Sequence, residues 1–296
     1  MGALLLFGSN GQLGHAIRTA DWFGSATALG RSECDLTDPV AIRAAIERHD
    51  PSVIVNAAAY TAVDRAEDEP ELAHAVNASA PAVMAEAAAA SGAAFIHYST
   101  DYVYDGSKPD AYVETDPTGP LGVYGASKLA GEQAIAAADA RHAILRTSWV
   151  YGPHGANFPK TMLRLAKERD ELSIVADQWG APTSVGLLAD VTRRLIDGFS
   201  AEGPGPLGIY HCAPAGRTTW HGFAQFFLTC CGEAGATLAV DPASIRAIKT
   251  EDYPTKAVRP KNSVLSCHRL ESEVSMTMPD WHDHVRALAQ QLVGVQ

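Results

Sequence analysis

Apolar residues in this chain fall in short unbroken runs separated by longer stretches of mixed character. "ALLLFG" (3–8), "ATALG" (26–30), "SVIVNAAA" (52–59), "AAFIHYST" (93–100) and "HAILRTSWVYG" (142–152) are such runs. A continuous apolar run closed by glycine or by polar residues is the pattern of a strand buried on both faces. Between them lie helical stretches: "GQLGHAIRTA" (11–20), "DPVAIRAAIERH" (38–49), residues 70–92, and "YGASKLAGEQAIAAAD" (124–139). Asp38 is placed to cap the second of these, with Pro39 at its first position. Strand and helix in alternation predict a parallel sheet covered by helices on both faces.

Beyond about residue 153 the alternation loosens. Residues 157–170 and 185–200 read as helices, 172–177 and 207–213 as strands, and "EGPGPLG" (202–208) as a turn-rich connector. A loop with two prolines spans 252–266, and an end helix lies near 280–292. The expected layout is a domain over 1–152, to which later segments return, and a smaller α/β lobe formed mainly by 153–296.

Composition narrows the function classes. The chain has 296 residues, 47% hydrophobic and 19% charged, with a net charge of -11. That balance is globular, and the negative charge disfavours nucleic acid and anionic membrane surfaces as partners. Five scattered cysteines (Cys34, Cys212, Cys230, Cys231, Cys267) show no C-x-x-C spacing, so reduced, packed thiols in a cytoplasmic protein are expected. No signal peptide pattern or membrane-length apolar run is present.

The first run leads straight into "FGSNGQLG", with glycines at 8, 11 and 14. Strand, G-x-x-G-x-x-G and helix together form the turn that cradles a pyrophosphate. The first glycine permits the turn, the second admits the phosphate and the third lets helix pack on strand. The helix N-terminus then holds the anion through bare N–H groups and its dipole. The expected fold is therefore a Rossmann-type doubly wound sheet. Where an acidic residue commonly ends the second strand to bind a ribose 2′-hydroxyl, this chain reads Gly30-Arg31-Ser32, followed by Glu33. Arg31 and Ser32 suit a 2′-phosphate, which points to NADPH, with NADH as the alternative; Asp35 and Leu36 fall where adenine could rest.

Tyr124 and Lys128 are four apart and share one helix face. An ammonium beside a phenol stabilises the phenolate and draws its pKa from about 10 toward the working pH. The preceding strand ends in "HYSTDYVYDG", where Ser99 and Thr100 offer hydroxyls outside the carboxyl ends of the strands.

The stretches "LLLFGSNGQLG", "NAAAYTAVDRAEDEP", "STDYVYDG", "VYGASKLAGE", "RTSWVYG", "DQWGAPTS" and "RPKNSVL" together resemble the extended short-chain dehydrogenase/reductases. Within them the likeness is to the branch that reduces a keto group on a nucleotide-linked deoxysugar. Sugar-nucleotide dehydratases of that superfamily carry Thr-Asp-Glu after the fourth strand, whereas this chain has Thr100-Asp101-Tyr102, which favours simple carbonyl reduction. The resemblance implies NADPH-dependent reduction of the 4-keto group of dTDP-4-dehydro-L-rhamnose to dTDP-L-rhamnose. It implies Tyr124 as proton donor, Lys128 as its modulator and ribose anchor, and Thr100, beside Asp101, as the hydroxyl orienting the carbonyl. Gly8, Asn10, Gly11, Gln12, Leu13 and Gly14 would hold the pyrophosphate, and Ala57, Ala58, Ala59 and Tyr60 would line the cofactor. Val63, Val103 and Trp149 would meet the sugar ring; Gln178, Trp179, Arg259 and Asn262 would meet the thymidine diphosphate end.

One departure bears on assembly. Some members join subunits through magnesium held by glutamates, one of them on the first helix, where this chain has His15 and Ala16. A homodimer is compatible with the sequence, but a magnesium-linked one is not expected, and no metal site is. "HDH" (282–284) lacks a third ligand at useful spacing. Two other readings stay open: a 4-ketoreductase of another deoxysugar, such as the 6-deoxy-talose type, and a non-catalytic subunit of the methionine adenosyltransferase regulatory kind. "DQWGAPTS" speaks against the latter.

Overall fold

Leu5, Leu6 and Phe7 are buried in the first strand, β1 (Leu4–Phe7), which is flanked on both sides by parallel neighbours. The computed structural model describes residues 3–24, 26–201, 203 and 205–294. In chain order there follow α1 (Gln12–Arg18), β2 (Thr27–Leu29), α2 (Pro39–His49), β3 (Val53–Asn56), α3 (Val63–Ala66), α4 (Pro70–His74), α5 (Ala80–Ser91) and β4 (Ala94–Thr100). Then come α6 (Val123–Ala137), β5 (Arg141–Thr147), α7 (Phe158–Glu168), β6 (Ser173–Val175), β7 (Trp179–Gly180), α8 (Val185–Ser200) and β8 (Gly208–His211). The chain closes with β9 (Thr218–Thr219), α9 (Trp220–Glu233), β10 (Arg246–Ile248), α10 (His268–Val274) and α11 (Trp281–Gly294).

The main sheet is parallel, in the order β2-β1-β3-β4-β5-β8. Strand order therefore reverses between β1 and β3, the place where open α/β sheets bind ligands outside the carboxyl ends of their strands. One face is covered by α1, α8 and α10, through Leu13, Ile17, Leu188, Val191, Leu195 and Leu270. The other is covered by α2, α5 and α6, through Ile42, Ile46, Met84, Ala88 and Ile135. A separate core of Met162, Leu163, Phe223, Phe227, Trp281 and Val285 joins α7, α9 and α11 into a lobe beside the sheet.

Local chemistry accounts for the element ends. Asp38 accepts from the amides of Val40 (2.8 Å) and Ala41 (3.2 Å), capping α2 ahead of Pro39. The helix read as continuous over 70–92 is interrupted by a π-helical segment, Ala75–Ser79, between α4 and α5. That segment carries Asn77 into the core, and Gly131 of α6 lies so close that a Cβ there would come within 2.2 Å of the Asn77 carbonyl oxygen. The strand read over 142–152 stops at Thr147, because Trp149 turns into the left-handed region (φ 48°) and takes the chain out of the sheet. The sequence pattern assigns no helix to α9 or α10: α9 buries one face, Phe223, Ala224, Phe227, Leu228 and Cys231, but Gly222 and Gly232 weaken its helical signal. The connector read at 202–208 includes Glu202 and Pro204, which lie outside the described residues.

Candidate active site

β1, β3, β4 and β5 end along one edge of the sheet, and there a cavity of about 850 Å³ opens. Its first wall is made of backbone. Gly8 has φ +85°, and a Cβ on it would come within 2.5 Å of the Ala58 nitrogen, so β1 and the chain after β3 touch through bare glycine. A Cβ on Gly14 would sit 2.0 Å from the Gly8 oxygen, which presses α1 onto the turn. Gly14 is thus a packing residue and does not itself line the cavity. Gly11, by contrast, would meet only the Gly8 oxygen at 3.4 Å; it faces open space. Gly11 caps α1 with no side chain, and the first turn holds no acid, leaving Gln12 and Leu13 amides free to receive an anion.

Asn10, Gly11, Gln12, Leu13, Arg31, Asp35, Leu36 and Ala57 through Tyr60 all line this wall. Ser32 does not: its hydroxyl donates to Glu33 Oε1 at 2.6 Å, while Glu33 Oε2 accepts from the Gly30 amide at 2.8 Å. The carboxylate is spent inside the turn, and Arg31 is left at the cavity rim. The loop after β3 is fixed by Asn77, whose Oδ1 accepts from the Tyr60 amide (2.9 Å) and whose Nδ2 donates to Ser127 Oγ (3.0 Å) of α6.

The second wall carries side-chain chemistry. Tyr124 opens α6, which starts where Glu67 Oε1 accepts from the Val123 amide at 2.9 Å. Burial pushes the pKa of the Tyr124 hydroxyl up to about 12, with the neighbouring Thr100 hydroxyl pulling the other way. Lys128 is buried, and burial brings its pKa down to about 8. Its Nζ donates to the Tyr98 carbonyl (2.6 Å) and lies 3.0 Å from His97 Nε2. The lysine is aimed at β4, and burial is the largest influence on Tyr124. Thr100 donates to Asp101 Oδ1 at 3.0 Å, and burial raises the Asp101 carboxyl to about 6. Ser99 Oγ and Thr147 Oγ1 border the cavity, buried and without a partner. Orphaned hydroxyls cost free energy unless something polar meets them, and together with the bare helix start they fit a dinucleotide and a hydroxylated substrate.

Trp149 lines the far side, as does Val63. Its ring stacks on Trp220 at 3.8 Å, and a Cβ on Gly180 would strike it at 2.6 Å, so the ring is packed tightly on both sides. Trp220, Leu188, Gly155 and Ala156 also line the cavity and were not foreseen. Gln12 ties two of these segments together, accepting from Asn157 Nδ2 at 2.8 Å.

Other expected contacts lie elsewhere. Val103 is fully enclosed in the core and cannot reach a sugar ring. Asn262 is consumed by the carbonyls of Lys108 (2.7 Å) and Asp110 (2.9 Å), a loop staple. Gln178 donates to Thr250 Oγ1 at 3.1 Å, and Trp179 lies under the Arg217 guanidinium, 5.1 Å from its ring centre. None of these borders the cavity. Arg259 stands one layer behind the wall, paired with Asp64 at 2.7 Å, its Nη1 buried and unpartnered. His282 bonds Asp280 and His284 bonds Ser184, and all five cysteines are free and buried.

The profile of the RmlD substrate binding domain family matches residues 2–293. The dTDP-4-dehydrorhamnose reductase of Shigella flexneri is 44% identical, over 98% of this chain and 97% of its own length. That of Escherichia coli K12 is 43% identical over the same shares, 98% and 97%. Among solved structures, the dTDP-4-dehydrorhamnose reductase of Bacillus anthracis in complex with NADP superposes with a TM-score of 0.88 at 34% identity, covering 97% of this chain and 98% of that one.

Proposed function

We infer the activity from a plain premise: the chain belongs to the RmlD substrate binding domain family, alongside the dTDP-4-dehydrorhamnose reductases. The protein is an oxidoreductase that uses NADPH to reduce the 4-keto group of dTDP-4-dehydro-L-rhamnose to dTDP-L-rhamnose. The observation that carries this is the single cavity into which a bare helix N-terminus, the Tyr124 phenol and the Thr100 hydroxyl all open.

Bound NADPH supplies the hydride equivalent; the chain supplies placement and a proton. Gly11 and the first amides of α1 receive the pyrophosphate, and Arg31 at the rim receives the 2′-phosphate. Thr100 and Tyr124 hold the ketone oxygen between them, and the Tyr124 hydroxyl gives that oxygen its proton. Burial keeps the Tyr124 phenol protonated, so its proton is in place to be given up as negative charge develops on the ketone oxygen. Trp149 and Trp220 form the apolar side of the sugar pocket. Arg259, with one nitrogen unpaired, lies on the side from which a diphosphate would come. The domain boundary we propose is near 152, with α8 and β8 returning to the sheet, since α7, α9 and α11 have their own core. Five buried free thiols support a cytoplasmic setting, and no helix among the described residues is long and apolar enough to cross a membrane. The first helix, with His15 and Ala16, offers no carboxylate for a magnesium-linked pairing.

Purified protein given NADPH and dTDP-4-dehydro-L-rhamnose should consume the cofactor and yield dTDP-L-rhamnose, identified by NMR. A 6-deoxy-talose product would move the substrate assignment to the related reductase; no consumption despite NADPH binding would sink the reading.

A further inference from the structure

Asn56 and His97 are register partners on β3 and β4, directly under the cavity floor, and the direction of each hydrogen bond between them can be worked out. Asn56 Oδ1 accepts from the Ala58 amide at 3.1 Å, which fixes the carboxamide so that Nδ2 faces His97 Nδ1, 3.1 Å away. Nδ2 can only donate, so His97 Nδ1 must be the acceptor, and the neutral ring carries its proton on Nε2. Nε2–H then points at Lys128 Nζ, 3.0 Å away. An ammonium has three donors and no acceptor. The contact is therefore satisfied when Lys128 is the free amine, which accepts from His97 while still donating to the Tyr98 carbonyl at 2.6 Å. With Lys128 charged, some pair along Asn56–His97–Lys128 is donor against donor, whichever tautomer His97 adopts.

We propose that His97, locked by Asn56 as the Nε2–H tautomer, is a positioning residue that stabilises the unprotonated amine of Lys128 and so lets this lysine exchange its proton near the working pH. The role rests on reading Lys128 as part of the reaction site. The surroundings agree. Burial holds His97 well below its usual value, hence neutral, and lowers Lys128 in the same direction. The carboxylate nearest on the same helix, Glu132, favours the ammonium, but it is bound at 2.6 Å by Arg146 of β5. Tyr124 lies one turn earlier, beside Thr100; the Tyr98 phenol is engaged by Thr192; Asp101 is held by Thr100. The group whose bonding depends on the lysine's charge is His97.

The test is NMR of the full ligand-free chain labelled with ¹⁵N-histidine and ¹³C-lysine, reading the His97 tautomer and the Lys128 titration midpoint. Wild type should show Nε2–H. In Asn56→Asp the carboxylate still accepts from Ala58 but now also accepts from His97 Nδ1–H, which turns Nε2 into an acceptor for the ammonium. The tautomer should switch, and the Lys128 midpoint should rise by about one pH unit or more, a tenfold gain in proton affinity. An Nδ1–H tautomer in wild type overturns the proposal, and so does a midpoint that rises without a tautomer switch, since added charge alone would explain it. If the variant does not fold, the wild-type tautomer decides the matter. Failure of the reductase reading would appear as absent turnover and would leave both NMR readings unaltered.

Discussion

The two walls of the cavity are built on opposite principles. The wall on the β1 and β3 side is backbone pressed against backbone, where a Cβ on Gly8 or Gly14 would come within 2.5 or 2.0 Å of main-chain atoms. The opposite wall is made of side chains from distant segments: Trp149 after β5, Leu188 on α8 and Trp220 at the start of α9. The first has no freedom to vary, and the ligand part it fits, a pyrophosphate, is the same in every dinucleotide. The second can be repacked one side chain at a time, and we place the choice of sugar there. Between them sits the polar seam of Thr100, Tyr124 and Lys128, to which we assign the chemistry.

The largest separation of these parts should come at Tyr124. Tyr124→Phe is expected to keep NADPH affinity within a factor of a few while kcat falls ~10²–10⁴-fold, the usual worth of a general acid; fluorescence titration beside steady-state kinetics reads both. Gly14→Ala strikes the rigid wall. With no room for a methyl group, α1 must shift, and NADPH affinity should drop at least about tenfold (~1.4 kcal/mol) together with the melting temperature. Trp220→Ala strikes the adaptable wall. KM for the keto sugar should rise about tenfold (~1.4 kcal/mol) with the NADPH dissociation constant unmoved; if both constants move together, the division between the walls is wrong.

A subtler effect concerns the seam. Lys128 is lowered from 10.5 to about 8 in the folded chain, so the unfolded chain binds more protons between those values. Stability therefore rises with pH across that window, by up to about 1.4 kcal/mol per pH unit. Urea unfolding of wild type and Lys128→Met at several pH values should show wild type gaining on the variant from about pH 8 to 10 and parallel curves below. Smallest of all, Arg31→Ala should cut the preference for NADPH over NADH about threefold, a change of ~0.7 kcal/mol visible in the ratio of their dissociation constants.

The same contrast explains what was legible in the sequence. The glycine turn is local: strand, three glycines and helix lie within residues 4–18, and each has a geometric reason that spacing alone conveys. Tyr124 and Lys128 were readable as a pair, because helical spacing places them on one face. Lys128's partner was not, since His97 lies on another element 31 positions earlier and meets it only through the sheet. Trp149 was read as a strand residue within the run 142–152, yet it takes positive φ and stacks on Trp220, which comes from another lobe. The resemblance implied Val103 as a sugar contact, but a 3₁₀ turn over Asp101–Val103 folds it into the core. Asn262 and Ser32 carried suitable donors that the fold spends internally.

If one chamber delivers hydride equivalent and proton to the same carbonyl, turnover of dTDP-4-dehydro-L-rhamnose with NADPH deuterated at the transferable nicotinamide C4 position, followed by product NMR, should show it. A single deuterium on C4 of dTDP-L-rhamnose is expected. Deuterium on any other sugar carbon, or a C4 hydrogen drawn from solvent, would contradict it.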